Sequence, residues 1–410
     1  MPLHGRIIDI GSDGSFLLKN EQGCYRVSTR TEGFSLLKSP LLLGAIVNCE
    51  GKFVRKVFQA KQVRILTVPR QDFSKHHFAS NWEKAILDNE HLSSIKQRSE
   101  IIKLIREFFH KQGFSETETP LLVKYPGQEP YLTPFETKLV KRNGKKEPYY
   151  LITSPEYAMK KLLTAGCEKI FEITRSFRNR EEESSTHNPE FTILEWYRAY
   201  ADYKDIMRDT ENLVIFLNKK INGSNKLRYQ GKTYNLGKPW ITMTVKEAFR
   251  KYAKTDLDAE LKNLKTKKPK NEELDSWFYG IFMQKIEPEL RKLKRPVILR
   301  DYPHFQAALA RKCPENPLYA ERFEVYLAGL ELANAFSELT DGREQLARFR
   351  EEQAIRRNRK EPALPLDFDF IKALNLGMPP SGGIALGVDR LIMLLTDQPT
   401  IQQVITFPSP

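Results

Sequence analysis

The residues best suited to chemistry lie in residues 171–198, FEITRSFRNREEESSTHNPEFTILEWYR. Arg175 and Arg178 lie on a predicted strand, and an acidic loop without apolar residues follows them. The chain returns through the string HNPEF, which contains Phe191, into a second predicted strand that carries Glu195. An arginine fork matches a phosphate group, an aromatic ring can stack on a base, and carboxylates can hold a cationic substrate. The segment therefore predicts a hairpin suited to nucleotide binding and adenylate formation.

Other elements must position this hairpin. Apolar spacing predicts an amphipathic helix over 93–112, followed by a strand that ends at Pro120. A glycine-rich strand that leads into an apolar helix is predicted over 380–395. Further helices are predicted over 202–219, 244–254 and 340–358. Because strands and helices do not alternate strictly, we expect a mixed antiparallel α+β domain and not a doubly wound sheet.

The N-terminal segment has a different pattern. Residues 3–68 alternate apolar and polar positions in short runs that are separated by turn signals such as GSDG. Five short strands in this segment predict a small OB-like barrel, and a generic β-module without a ligand is the alternative. We therefore divide the chain into a barrel at 1–68, a linker at 69–94 and a catalytic domain at 95–410.

Composition narrows the class of protein. The chain has 410 residues and a formal net charge of +14, which favours an acidic or phosphate-bearing partner. Charge on solvated helices is the alternative. No apolar run is long enough for a membrane span and no secretory signal is visible, so we expect a cytoplasmic protein without membrane contact. The four cysteines are scattered and are expected to be packing residues, with no zinc site.

Residues from about 95 to the C-terminus resemble the catalytic domain of class II aminoacyl-tRNA synthetases, in particular the lysyl branch. The predicted helix and the strand that ends at Pro120 resemble the first motif of that class, the hairpin resembles the second, and the stretch GGIALGVDRL resembles the third. The resemblance implies an α+β fold with a mixed, mainly antiparallel sheet flanked by helices, preceded here by the small OB-like β-barrel. It also implies a homodimer formed through the first motif.

The same resemblance implies an ATP site. Arg178 would contact the α-phosphate, and Phe191 would stack on adenine, with Arg390 on the other face of the ring or on the terminal phosphates. Glu324 and Glu331 would hold a Mg²⁺ ion that bridges the phosphates. The implied catalytic residues are Arg178 and Arg390, and the implied ATP-binding residues are Arg178, Glu181, His187, Asn188, Phe191, Glu331, Gly387 and Arg390.

The amino-acid pocket that the resemblance implies is of the lysine type. Several carboxylates suit a doubly cationic substrate, because a buried ammonium group without a partner is costly. Aspartate or asparagine would call for arginines instead. The residues implied to hold lysine or β-lysine are Ser154, Glu156, Glu195, Tyr197, Asn334, Glu338 and Ala385.

Two acceptors are weighed for the aminoacyl group. Ser154 and Ala385 stand where lysyl-tRNA synthetases usually have alanine and glycine, and both are similar to the elongation factor P lysine ligases. That similarity implies transfer to a lysine of elongation factor P, which is the first hypothesis. The alternative is a compact lysyl-tRNA synthetase that charges tRNA(Lys). A catalytically silent paralogue is disfavoured because Arg178, Glu324, Glu331 and Arg390 are all present.

Two features depart from the elongation factor P ligase pattern. Those ligases usually lack an N-terminal barrel. The loop 178–187 is also one residue longer than in that pattern and places Arg180 where a glutamate is expected. Either Glu181 or Glu182 would then contact the adenine amine, and we favour Glu181.

Overall fold

A computed structural model of the chain describes residues 2–37, 41–78, 80–87, 89–181, 184–267 and 271–409. These residues form two compact units, one of 2–97 with 405–407 and the other of 98–404 with 408–409. The boundaries at 68 and 94 stay predictions. Within the described ranges, no helix combines the length and the hydrophobicity that a membrane crossing requires.

The first unit is built on a closed barrel. Its strands and helices are β1 (Pro2–Ile10), β2 (Phe16–Asn20), β3 (Gly23–Ser28), β4 (Ser35–Leu37), β5 (Ile46–Val54), β6 (Val57–Thr67), α1 (Asn81–Leu87) and the start of α2 (Asn89–Lys111). Strand β1 pairs antiparallel with β2 and β5, β2 pairs with β3, and β5 pairs with β6. Parallel pairing of β3 with β6 closes the barrel. The predicted OB-like barrel is confirmed.

The barrel core follows the alternation seen in the sequence. Leu3 and Ile7 on β1 are buried, and Phe58 and Val63 on β6 are buried with them. Gly51 lies at a register shift between β5 and β6, where a Cβ atom would lie 2.0 Å from the Gln59 carbonyl oxygen. Only glycine allows this close approach, which lets β5 bend and continue pairing.

The second unit contains an eight-stranded sheet in the order β15-β16-β17-β18-β19-β12-β11-β7. All pairs are antiparallel except β15 with β16 and β11 with β7, which confirms the mainly antiparallel α+β prediction. The sheet strands are β7 (Ser115–Glu116), β11 (Lys169–Phe177), β12 (Glu190–Ala199), β15 (Ile241–Thr244), β16 (Val297–Pro303), β17 (Tyr319–Leu327), β18 (Leu330–Ser337) and β19 (Ser381–Gly387). Two small sheets use β8 (Leu122–Val123), β9 (Glu136–Val140) and β10 (Lys146–Leu151), and β13 (Lys226–Tyr229) and β14 (Lys232–Asn235).

Helices flank this sheet. They are α3 (Glu156–Thr164), α4 (Tyr203–Asn222), α5 (Val245–Ala248), α6 (Leu257–Lys267), α7 (Asn271–Ile281), α8 (Glu287–Leu290), α9 (Gly342–Asn358), α10 (Phe368–Gly377) and α11 (Val388–Leu395). Helix α4 begins with a capping box at Asp202 and ends at Gly223 in the left-handed region with φ 69°. Helices α3, α9 and α10 share one apolar core around Phe349 and Phe370.

One predicted element is much shorter than expected. The strand predicted to end at Pro120 pairs only over Ser115–Glu116. Beyond that pair, the backbone N–H of Thr119 donates to the Glu172 carboxylate at 3.1 Å and not to a neighbouring strand. At Thr119 the Glu172 side chain thus replaces a neighbouring strand as the acceptor of the backbone hydrogen bond, and β7 is shorter than predicted.

Candidate active site

Strand register places four of the predicted residues in one row. Glu324 on β17 pairs with Asn334 on β18, Asn334 pairs with Ala385 on β19, and Ala385 pairs with Glu195 on β12. Directly paired residues project to the same face of a sheet. Strands from three separate regions of the sequence therefore present these four side chains to one surface.

A cavity of about 500 Å³ lies over this surface. Twelve of the predicted site residues line it: Arg178, Glu181, His187, Asn188, Phe191, Glu331, Gly387, Arg390, Ser154, Glu156, Asn334 and Ala385. Four others, Glu195, Tyr197, Glu324 and Glu338, are buried behind the lining residues. Glu182, the alternative adenine contact, lies outside the described residues.

Arg178 lies just past the end of β11 at one end of the cavity. Its backbone N–H donates to the Pro189 carbonyl at 2.9 Å, which holds the residue against the returning strand. Its guanidinium lies over the Phe191 ring at 4.9 Å from the centroid and is 3.7 Å from a Glu181 carboxylate oxygen. The Nε atom is buried and has no hydrogen-bond partner among the described residues. Arg178 therefore covers the Phe191 ring, and its Nε remains a donor available to an anionic ligand.

Arg390, in the first turn of α11, is held by three contacts. Its Nη1 donates to the Glu331 carbonyl at 2.8 Å, its Nε donates to the Thr186 carbonyl at 3.2 Å, and its Nη2 lies 2.8 Å from His187 Nε2. The His187 Nδ1 atom in turn lies 2.7 Å from the Ser184 hydroxyl. These contacts hold the Arg390 guanidinium, the second positively charged group of the cavity after Arg178, beside the hairpin loop.

A buried ion pair ties helix α2 to the site. Arg98 donates to Asp389 Oδ1 at 2.5 Å and to the Thr192 hydroxyl at 2.6 Å. The other oxygen of Asp389 accepts the backbone N–H of Thr192 at 2.7 Å. Asp389 is adjacent to Arg390, and Thr192 is adjacent to Phe191. The pair therefore helps to set the positions of Arg390 and Phe191.

Glu331 and Glu324 are two neighbouring acidic residues at the end of the cavity where Arg390 lies. Burial, and then the charge of Glu324, raise the pKa of Glu331 to about 7. Glu324 is buried and accepts hydrogen bonds from Tyr302 at 2.6 Å, from Tyr326 and from Arg322. Within the described ranges, no group of three or more His, Cys, Asp or Glu side chains could hold a metal ion. The pair still offers the few carboxylate oxygens that Mg²⁺ uses when phosphates and water complete its shell.

Glu195 is buried at the end of the cavity that is lined by Ser154 and Glu156. Its two carboxylate oxygens accept hydrogen bonds from the Ser154 hydroxyl at 2.5 Å and from the Tyr197 hydroxyl at 2.8 Å. The Ser154 oxygen also accepts the backbone N–H of Glu156 at 3.1 Å, at the start of α3. Burial, and then the charge of Glu156, raise the pKa of Glu195 to about 8.

Lys160 lies within this cluster of carboxyl groups, and it was not predicted from the sequence. Lys160 is fully buried on α3 and forms ion pairs with Glu156, one turn earlier, and with Glu338 at 2.6 Å. Burial lowers the pKa of Lys160, but the two carboxylates outweigh it and raise that pKa above its usual value. One positive charge thus lies among three carboxyl groups, those of Glu156, Glu338 and Glu195.

Gly383 on β19 makes room for this cluster. A Cβ atom at this position would lie 2.3 Å from the Tyr197 ring and 2.4 Å from Glu338 Oε1. Any side chain there would displace one of the two. The glycine-rich sequence of β19 therefore serves close packing around the cavity end.

We predict that Glu195 makes folding stability depend on pH. Its pKa lies near 8 in the fold against 4.5 for the ordinary carboxyl, so the folded state holds a proton that the unfolded state releases. Stability from this residue is therefore complete below about pH 4.5 and is lost as pH rises to about 8. Glu195→Gln should gain stability relative to the unchanged protein over that window, measured by urea unfolding. Parallel pH profiles of the two proteins would contradict the assignment.

Other cavity residues were also missed from the sequence. Arg322 donates to Asn334 Oδ1 at 3.1 Å and pairs with Glu324. Glu129 lines the cavity from the loop before β9. For Lys160, its spacing of four from Glu156 beside apolar residues was a usable signal. The loop that carries Glu129 has no periodicity, and nothing in the sequence marked it.

Comparison with known proteins agrees with this geometry. Residues 77–410 match the family model described as tRNA synthetases class II (D, K and N). The chain is similar to lysine–tRNA ligases of Pseudomonas syringae pv. syringae (37% identical, covering 89% of this chain and 76% of that protein), Thermosipho africanus (35%, 92% and 77%) and Magnetococcus marinus (34%, 98% and 85%). The chain is therefore a ligase and belongs to the family tRNA synthetases class II (D, K and N).

Proposed function

We propose that this protein activates lysine with ATP and transfers the lysyl group to tRNA(Lys). One observation carries the proposal: a single cavity has Arg178, with an unpaired Nε donor, at one end and a carboxylate cluster at the other. An anionic phosphate fits the first end and an amine fits the second. The similar proteins in the comparison are lysine–tRNA ligases, which favours tRNA as the acceptor.

The first step forms the adenylate. A carboxylate oxygen of lysine attacks the α-phosphorus of ATP, the bond from that phosphorus to the bridging oxygen breaks, and pyrophosphate leaves. Arg178 would hold the α-phosphate oxygens as their charge grows, and Phe191 would support the adenine ring with Glu181 beside it. Asn188, His187, Gly387 and Arg390 would hold the remainder of the nucleotide.

Mg²⁺ would be held by Glu331 and Glu324 together with the phosphates. The family generally uses ATP and Mg²⁺, and the ion would neutralise phosphate charge when bound. Burial, and then the charge of Glu324, raise the pKa of Glu331, and a cation bound at this position would offset both effects. Arg390 would help to hold Glu331 in place, because it donates a hydrogen bond to the Glu331 backbone carbonyl.

The second step releases AMP. A ribose hydroxyl at the tRNA 3′ end attacks the carbonyl carbon of the adenylate, and the bond to the AMP phosphate oxygen breaks. The barrel would bind another part of the RNA. Tyr25 and Phe53 lie 5.7 Å apart between ring centroids, and Phe53 is 50% exposed. Lys52, next to Phe53, and Arg55, two residues after it, are exposed, so stacking and phosphate contacts can act together.

A second candidate acceptor is a lysine side chain of elongation factor P. The Ser154 hydroxyl bridges the Glu156 backbone and the Glu195 carboxylate, and Ala385 lies next to Glu195 in the strand row. Both side chains would therefore shape the part of the cavity that takes the α-carbon end of the substrate, where lysine and (R)-β-lysine differ. The proposal also includes a homodimer formed through α2 and β7.

Acceptor competition tests the proposal. Purified protein, ATP and Mg²⁺ are incubated with labelled lysine or labelled β-lysine, and tRNA and elongation factor P are offered in parallel. We expect lysine-dependent ATP–pyrophosphate exchange and label on tRNA. Label on elongation factor P alone would overturn the tRNA assignment and favour the second candidate. Absence of exchange with both amino acids would overturn the shared activation step.

A further inference from the structure

Two tyrosines lie at the mouth of the large cavity. Tyr131 and Tyr279 line the cavity, and yet they are 51% and 39% exposed. The other aromatic residues that line it, among them Phe191, are less exposed. A tyrosine that lines a cavity and is also exposed to solvent can receive a ligand that enters from outside. Neither tyrosine has a role in the activation step.

Helix α7 connects the two tyrosines. Asp275 on this helix is buried, and its carboxylate accepts hydrogen bonds from the Tyr131 hydroxyl and from the Gln306 side chain. Tyr279 lies one turn later on the same helix, and residues that are four apart share one face of a helix. Tyr131 therefore contacts the face of α7 that carries Tyr279.

The Tyr131 ring is also held by residues at the end of α9. The guanidinium of Arg359 lies 5.0 Å from the ring centroid, and its Nη1 donates to the Pro130 carbonyl at 3.5 Å. Arg356 Nη1 donates to the Leu132 carbonyl at 3.0 Å. A ring that is held at its hydroxyl, at the neighbouring backbone and at one side loses little further freedom when a ligand stacks on it.

The segment that contacts Tyr131 is rich in cations. Residues 356–360 read Arg-Arg-Asn-Arg-Lys. Arg357 and Lys360 are exposed, and no ion pair joins either side chain to another of the described residues. Aromatic rings bind unpaired nucleobases by stacking, and cations beside them neutralise the phosphates. The combination fits single-stranded RNA.

We propose that Tyr131 and Tyr279 stack on the unpaired bases at the 3′ end of the acceptor RNA as that end enters the cavity. The inference rests on the proposed function, in which a ribose hydroxyl of that end attacks the adenylate. The terminal ribose must then lie inside the cavity, so the adjoining bases pass the mouth where the two tyrosines lie. The cations of 356–360 neutralise the phosphates between these bases. The two rings thus position the RNA end for the second step.

Alanine variants of the two tyrosines test this inference. The measured quantity is the rate of lysyl transfer at limiting tRNA divided by the rate of lysine-dependent ATP–pyrophosphate exchange, which needs no RNA. In Tyr131→Ala and in Tyr279→Ala this ratio should fall roughly 5- to 100-fold, as expected for the loss of one stacked base. The phenylalanine variants keep the ring and should recover most of the loss. Tyr200→Ala is the matched control with an unchanged ratio, because Tyr200 is 75% exposed and does not line the cavity.

A fluorescent RNA measures the stacking directly. 2-Aminopurine replaces each unpaired 3′ base of tRNA(Lys) in turn, and its fluorescence falls when it stacks on an aromatic ring. We expect the unchanged protein to quench the fluorescence at one or more of these positions. Tyr131→Ala and Tyr279→Ala should quench it less, whereas Tyr200→Ala should quench it as the unchanged protein does.

The outcomes separate the two proposals. An unchanged ratio and equal quenching in both alanine variants overturn this inference and leave the proposed function intact. An equal loss in Tyr131→Phe and Tyr131→Ala assigns the effect to the hydroxyl contact with Asp275 and also overturns stacking. Absence of transfer to tRNA by the unchanged protein overturns the tRNA part of the proposed function and this inference together.

Discussion

Replacing Arg178 with alanine should lower lysine-dependent ATP–pyrophosphate exchange roughly 100- to 1000-fold, as expected for losing one preorganised donor to transition-state charge. Arg178 lines the cavity, its Nε donor is unpaired, and its guanidinium is held over Phe191 at 4.9 Å. The loss should appear mainly in kcat, because the charge on the α-phosphate oxygens grows in the transition state. Steady-state exchange assays at saturating ATP and lysine measure it.

Arg175→Ala is the matched control for this experiment. Arg175 lies on β11, three residues before Arg178; its side chain is 43% exposed and its Nε is 3.6 Å from a Glu190 carboxylate oxygen. It does not line the cavity. We expect exchange near the unchanged level in this variant. Near-normal exchange in Arg178→Ala, or an equal loss in both variants, would contradict the assignment of the phosphate site.

Lys160→Met should destabilise the fold by roughly 3–5 kcal/mol, the cost of removing one partner from a buried ion pair. Lys160 is fully buried between Glu156 and Glu338, and methionine removes its charge while keeping most of its volume. Both carboxylates would then need to bind protons. Because protons are scarcer at higher pH, the loss should grow as pH rises. Urea unfolding at two pH values measures the effect.

The neighbouring lysine provides the control. Lys161 is 35% exposed and pairs with Asp367 at 2.6 Å, so Lys161→Met should cost about 1 kcal/mol or less. Adding Glu338→Gln to Lys160→Met should recover part of the lost stability, since it removes a charge left without a partner. Equal costs for the two lysine variants would show that the buried cluster contributes no special stabilisation.

The hairpin that lines one end of the cavity was predictable because its signals are local. Arg178 and Phe191 lie within one hairpin, whose strands are marked by alternating apolar residues and whose loop is marked by acidic ones. The barrel was predictable for a similar reason, since short alternating runs and turn residues repeat along 3–68. Period-two patterns in the sequence report directly on which side chains face a core.

The end of the cavity around Glu195 was only partly predictable, because its environment is made by residues that are distant in sequence. The spacing of four between Glu156 and Lys160 signals an ion pair, but the burial of that pair depends on Glu338, which follows β18. The cover of Glu324 by Tyr302 and Tyr326 likewise depends on the register of β16 and β17. Glu129 lies on a loop whose shape is decided by tertiary hydrogen bonds.

The row Glu324, Asn334, Ala385 and Glu195 also bears on how the chain folds. Its members come from four strands, and the last strand joins the sheet only after almost the whole chain has been placed. Contacts of such long sequence separation require large loops to close first, which makes them late events in folding. The central strand β19 lies between β12 and β18, so a folding intermediate without it would have a split sheet with two exposed edges. Catalytic competence should therefore arise in the final step of folding, together with protection from aggregation.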